Sequence, residues 1–411
     1  MDLFLRIDAQ LQERPVYEIL PSLNELFKSI NRSDVFALED IVYALDVLYH
    51  GENTVKVKDE DRDKLFERIV GIREAIKENG SRYIESLLDK SPDQITELAR
   101  NDISVRYALV HLNPFAVRGD DGLYQKFNKN MELALYDPQT GKGLTDEYLQ
   151  ARSKMLYLEN KLRMEDKSWA PTDLASTGGY YEDRGAAVTV NNTEYSERNT
   201  APEYIFGSDQ GDSIESLRTS MMPQSYDDHV FGGGGDDTIR THEGNDYLEG
   251  GDGNDVLDGG KGNDILVGGT GRDIYVLRAG ESGRDAVREV REPDGLVHGA
   301  FRFINEQGRE MILGGAFSHR RDAAGNLLSE WERRLPDGSM AVLRHAQEWE
   351  LLVNGRALLT MGENFVSGDF GIRLEEQATE PANPASATVN GMDKSGDWKP
   401  KEFYHEDGSV Y

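Results

Sequence analysis

The sequence predicts a multidomain α+β protein with an N-terminal helical region, a central parallel β-roll of nine-residue repeats, and a C-terminal β domain. Three observations predict it. Apolar residues recur at helical spacing over the first part of the chain. A glycine–aspartate pattern then repeats in nines without a gap from 232 to 276, and short segments of alternating apolar and polar residues follow it. The patterns divide the chain into a helical domain at 1–110, a mixed helix and linker segment at 111–200, the repeat block at 201–277, a β domain capping the roll at 278–376, and a tail or linker at 377–411.

In the helical domain, Ala37 to His50 places Leu38, Ile41, Val42, Leu45, Leu48 and Tyr49 on one face. Asp61 to Asn79 does the same with Leu65, Phe66, Ile69, Ile72 and Ile76, and Gly80 follows where a helix-ending glycine belongs. Ser91-Pro92 reads as an N-cap followed by proline in the first turn, and Asp102 to His111 as a further short helix. Helices with one apolar stripe need partners, so a small bundle is expected. In the mixed segment, Thr145 caps a helix running to about Arg163, with Asp146 and Glu147 favourable in its first turn. Residues 164–200 are polar and rich in turn formers, and read as a linker or loosely ordered strands.

The repeat block carries the chemistry. Five units start at Gly232, Thr241, Gly250, Gly259 and Gly268. Glycine at the second and fourth positions (Gly233, Gly235, Gly244, Gly251, Gly253, Gly260, Gly262, Gly269 and Gly271) permits tight, left-handed turns that direct carbonyl oxygens inward. The sixth position is aspartate throughout: Asp237, Asp246, Asp255, Asp264 and Asp273. The eighth, Ile239, Leu248, Leu257, Leu266 and Tyr275, is the inward residue of a short strand. Two units make one coil, so residues eighteen apart stack. Asp237, Asp255 and Asp273 then line one edge of the roll, and Asp246 and Asp264 the other. A flexible glycine-rich linker would show no such phase lock between aspartate and aliphatic residues.

Stacked strands lie ~4.8 Å apart. Carboxylates at about that spacing repel by roughly 3 kcal/mol per pair at an effective dielectric of ~20. One apolar residue in nine does not offset this, and a hard cation held by carboxylate and carbonyl oxygens reverses its sign. The block is therefore expected to be largely unfolded without several bound Ca2+ ions and to fold with them. Residues 206–214 resemble a decayed copy that keeps Asp212 and Ile214. Thr241 and His242 replace glycines in the second unit, where a weaker or irregular site is expected.

Residues 300–374 alternate apolar and polar positions, as in Glu348-Trp349-Glu350-Leu351, with turns at Asn305, Gly308, Gly338 and Gly355. The chain holds 46 Lys+Arg against 75 Asp+Glu, a net charge of −29. Such a chain repels phosphate backbones, so a nucleic-acid partner is not expected. There is no cysteine, which excludes a disulfide scaffold and a cysteine nucleophile. The N-terminus shows no basic start followed by an apolar core, and no apolar run is long enough to span a bilayer.

The units resemble the RTX, or hemolysin-type, calcium-binding repeat G-G-x-G-x-D-x-U-x. The flanks, around Asn101 to Val117, Glu132 to Pro138 and Asn364 to Leu374, are similar to segments that surround the repeats in large bacterial RTX exoproteins and toxins, several of which carry a lipase-like domain upstream. The resemblance implies export by a type I secretion machinery that reads a C-terminal signal. Folding would follow in the calcium outside, and the location would be secreted, extracellular or on the bacterial surface. It also implies that the chain is part of a longer protein whose effector, lipase-like in several relatives, lies upstream. No G-x-S-x-G elbow, H-E-x-x-H helix or phosphate-cradling loop occurs, so no catalysis is expected from this chain. The scattered histidines read as structural: His111 as a helix-end residue, His229 and His242 as surface residues, His319 as part of a solvated turn. Two alternatives stay open. One is an RTX adhesin module contacting a ligand through 300–374. The other is calcium-triggered self-processing at Asp137-Pro138, whose plainer reading is a turn.

Overall fold

The computed structural model of the protein describes residues 38–50, 55–57, 62–78, 83–88, 90–164, 179–192, 201–216 and 226–375. The expected tail and Gly80 lie outside them. Among the described residues the helices are α1 (Leu38–His50), α2 (Arg62–Glu78), α3 (Pro92–Asn101), α4 (Ile103–Val110) and α5 (Asp146–Met164). Their ends follow the local chemistry. Ser91 Oγ accepts from Gln94 N, and Gln94 Oε1 accepts from Ser91 N, closing a capping box on α3. Asp102 caps α4 by accepting Ser104 N at 2.8 Å, and its other oxygen holds Arg118 Nε at 2.8 Å. His111 caps the C-terminal end of α4, as expected.

The helices do not form a pure bundle. Strand β1 (Tyr83–Ser86) stands among them and pairs antiparallel with β2 (Phe115–Arg118). At four residues each, these strands are too short for an alternation to stand out against helical neighbours. The polar segment before the repeats contains a hairpin, β3 (Gly179–Asp183) and β4 (Val188–Asn192).

The roll follows. Strands β5 (Glu203–Phe206), β7 (His229–Gly234), β9 (Tyr247–Asp252), β11 (Ile265–Thr270) and β13 (Asp285–Arg288) form one wall. Strands β6 (Ser213–Glu215), β8 (Thr238–Arg240), β10 (Val256–Asp258), β12 (Ile274–Arg278) and β14 (Ala300–Ile304) form the other. Every pairing within the two walls is parallel. Leu248 pairs with Leu266 and Ile239 with Leu257, so a coil is eighteen residues, as the repeat predicts. The parallel coiling runs past residue 277: Val287 stacks on Leu266 and Phe301 on Tyr275.

Beyond the roll come β15 (Glu310–Ile312), β16 (Gly315–Arg321), β17 (Leu327–Arg334), β18 (Met340–His345), β19 (Trp349–Val353), β20 (Arg356–Thr360) and β21 (Ile372–Glu375). Strands β16 to β20 form an antiparallel meander, and β20 joins the roll by pairing parallel with β13. His319 is therefore not in a solvated turn. It lies in β16, stacks on Trp331 with ring centroids 4.4 Å apart, and donates from Nε2 to Leu328 O.

Two cores result. One fills the roll and continues through the meander, from Ile205 and Val230 to Leu351 and Ile372. The other joins the helices to the outer face of the first wall through Tyr204, Phe206, Phe231, Tyr247 and Val267. His229, expected at the surface, lies on that covered face and stacks on Tyr204 at 4.9 Å. The cause is the period of two: in the first wall Tyr204, Phe206, His229, Phe231, Tyr247, Ile265 and Val267 flank the inward positions, whereas the second wall shows Thr238, Arg240 and Glu215 to solvent.

Candidate metal centre

The turns between strands bring the sixth-position aspartates into two columns. Asp255 Oδ1 accepts from Asp237 N at 2.8 Å, and Asp273 Oδ1 from Asp255 N at 2.8 Å. On the other edge Asp246 accepts from Asp228 N at 2.7 Å and Asp264 from Asp246 N at 2.9 Å. Each aspartate thus uses one oxygen to hold the coil before it. The second oxygen, Oδ2 of Asp237, Asp246, Asp255, Asp264 and Asp273, is buried and has no hydrogen-bond partner. A buried carboxylate oxygen without a partner is costly unless a proton or cation meets it.

Burial pushes these carboxyls up. Asp237 rises to about 6, Asp246 to about 7 and Asp255 to about 7, in each case through desolvation, with neighbouring carboxylates adding to it. Asp264, close to Asp285, is raised for the same reason, and Asp273 is raised by desolvation.

The backbone beside each free oxygen is shaped by glycine. All nine second- and fourth-position glycines named from the sequence have positive φ. At Gly251 (φ 114°) a side chain would also run into Gly233 O, and at Gly262 (φ 142°) into Gly244 O, so these carbonyls point along the roll toward the next coil. At Gly232 and Gly250, the first glycines of their units, a Cβ would lie against the unit's own aspartate Oδ2 and a carbonyl of the next coil, 2.5 Å from Gly250 O for Gly232 and 2.6 Å from Gly268 O for Gly250. Among the described residues no three His, Asp or Glu side chains gather as a metal centre. A hard cation here would be held by carboxylate and main-chain oxygen together, and the donor set fits one.

The second unit differs, as its sequence suggests. Thr241 is fully buried and its hydroxyl donates to Gly259 O at 2.9 Å, filling the space that glycine leaves open in the other units.

The columns are longer than the five units. Asp212 N donates to Asp237 Oδ1 at 2.6 Å, which makes the decayed copy a true coil. Asp228 and Asp285 extend the other column, since Asp285 Oδ1 accepts from Asp264 N at 3.2 Å. Both were missed. Around Asp228 only the Asp-x-Val core of the pattern survives. Around Asp285 the copy Gly280-Glu281-Ser282-Gly283-Arg284-Asp285 is good, but three inserted residues shift its phase. Fifth-position residues add a ladder of opposite sense: Asp236 Oδ1 accepts from Asn254 N and Asn254 Oδ1 from Arg272 N.

Asp137 sits in a tight turn, where Oδ1 accepts from Gln139 N at 2.9 Å and Oδ2 from Thr140 Oγ1 at 3.1 Å. Among the described residues no helix is long and apolar enough to cross a membrane.

A family model for the RTX calcium-binding nonapeptide repeat (4 copies) matches residues 224–248 and 241–275. No curated protein and no solved structure matches the chain.

Proposed function

With residues 224–275 being RTX calcium-binding nonapeptide repeats, we propose that this chain is a calcium-folded module of an exported bacterial protein. The observation that carries the reading is the set of five buried aspartate oxygens without partners, spaced through two columns beside glycine carbonyls. Asp237, Asp246, Asp255, Asp264 and Asp273 each do two things. Oδ1 ties down the preceding coil, and Oδ2 is left buried to meet a cation, with a main-chain carbonyl of the next coil close by at Asp237 and Asp255. Calcium bound there would supply the positive charge that the desolvated carboxylates lack. Without it the columns carry repulsion that one inward residue per strand does not offset, so folding and ion binding are one event.

Type I export and an extracellular or cell-surface location are part of the same proposal. A chain that folds only at high calcium stays extended where calcium is low and sets where it is high. The helical layer, roll and β meander form successive parts of the module, and we assign it no catalysis of its own. The effector activity, lipase-like in several proteins that the flanks resemble, belongs to a region upstream of these residues. The hydrogen-bonded turn at Asp137 supports a structural role for Asp137-Pro138.

The test is a calcium titration of the chelated chain by calorimetry, with far-UV circular dichroism in parallel. The expected result is a cooperative gain of β signal with several ions bound. Absence of binding at millimolar calcium would overturn the reading.

A further inference from the structure

The two aspartate columns end differently. One passes from Asp264 to Asp285. In the other, register places Gly299 opposite Asp273, because Ile274 pairs with Ala300 and Ala300 N donates to Asp273 O at 2.8 Å. Glycine has no carboxylate to offer. The space beside it is occupied from elsewhere in the chain: a Cβ on Gly299 would lie 2.9 Å from Glu289 Oε1. Glu289 follows β13 and lies outside every sixth position of the repeat.

A second observation lies at Gly268. At the equivalent Gly232 and Gly250, the space beside the glycine is bounded by the unit's aspartate Oδ2 and the first carbonyl of the next coil. At Gly268 that carbonyl is replaced by two side-chain oxygens, Tyr275 Oη and Glu289 Oε1, the latter at 2.8 Å from the same point, with Asp273 Oδ2 beside them. Tyr275 and Asp273 are both fully buried. Tyr275 Oη, Asp273 Oδ2 and Glu289 Oε1 are all shielded from solvent without a hydrogen-bond partner of good geometry. Val290 N donates to Glu289 Oε2 at 3.0 Å, which leaves Oε1 directed inward.

We propose that Asp273, Glu289 and Tyr275 form a closing cation site at the end of the first column, in which Glu289 supplies, from outside the repeat, the carboxylate that Gly299 lacks. The ligand is a hard divalent cation of calcium's size, and the proposal rests on the calcium reading of the repeats. Two carboxylates in one dry space cannot both stay ionised without a proton or a cation between them. Here the second carboxylate makes the site more anionic than a repeat site. Tyr275, whose hydroxyl burial holds in its neutral form, adds an uncharged oxygen.

The experiment is a calorimetric calcium titration of the full chain after chelation, as wild type, Glu289→Gln and Tyr275→Phe, with far-UV circular dichroism in saturating calcium. Glu289→Gln keeps shape and removes charge. It is expected to bind one ion fewer than wild type, with an unchanged spectrum and the remaining affinities within about twofold. Tyr275→Phe is expected to keep the ion count and weaken one site about three- to tenfold, the scale of one lost neutral polar contact. Wild-type stoichiometry and affinity in Glu289→Gln would overturn the proposal and leave Asp273 and Glu289 as a proton-sharing pair. If Glu289→Gln fails to fold, Tyr275→Phe decides: a titration identical to wild type overturns the site. Failure of the wild type itself to bind calcium is a separate result and overturns the reading beneath it.

Discussion

At the scale of the residue, the protein turns on what a buried aspartate does when only one of its oxygens has a partner. Asp237, Asp246 and Asp255 titrate near 6 to 7 in the folded, metal-free chain because burial disfavours their charge. An unfolded aspartate titrates near ~3.9. The folded form therefore holds protons more tightly, and their stabilising effect is complete below about pH 4 and lost as pH rises through about 6 to 7. The chelated chain is expected to lose β signal and to melt at a lower temperature as pH rises from about 4 to about 7. With saturating calcium the trend should flatten or reverse, because cation and proton compete for the same oxygens. A chelated chain more stable at pH 8 than at pH 5 would show that these carboxyls do not govern its folding.

At the scale of the element, α5 couples the helices to the roll. Tyr148 meets Phe206 and Phe231 edge-on at 5.5 and 5.3 Å, and Thr145 Oγ1 donates to Glu249 Oε2 at 2.7 Å. Arg152 lies over the Phe206 ring, pairs with buried Asp183 of β3 at 2.5 Å, and donates to Val110 O at 2.6 Å. One guanidinium thus joins three parts of the chain. Arg152→Ala leaves Asp183 buried and unpaired, so a loss of roughly 3–5 kcal/mol is expected, read from denaturant unfolding in saturating calcium. A loss below about 1 kcal/mol would mean that the pair is solvated in solution. The helix itself was legible from Thr145 and its acidic first turn. Its docking face was not, because the apolar residues it meets on the roll lie far along the chain from it.

At the scale of the molecule, the roll and the meander share one core. Trp349 and Trp331 pack with Leu351, Leu343 and Phe317 in the cluster that also holds Leu248, Leu257 and Tyr275. Removing calcium is therefore expected to do more than melt the repeats. Tryptophan emission should shift to the red with the same midpoint as the loss of far-UV β signal, since the meander loses the wall against which β20 pairs. Two separated midpoints would show that the meander folds by itself.

The sequence alone determined the roll, its eighteen-residue coil, the two columns of aspartate and the backbone shape at the glycines. These follow from a local nine-residue period in which each position has one geometric role, so they can be read one unit at a time. The helices were legible where a cap and an apolar stripe coincide, as at Ser91 and Asp102. Only the tertiary structure decided the rest. It showed the decayed copy at Asp212 and the copy at Asp285 joining the columns, where insertions break the phase but strand pairing restores it, and it added Asp228, which is in phase but keeps too little of the pattern to be read. It placed β1 among the helices, His229 on the covered wall and Glu289 at the end of the first column. Each of these depends on which distant segment packs against the roll, and burial and register across such distances are set by pairing partners that no local period contains.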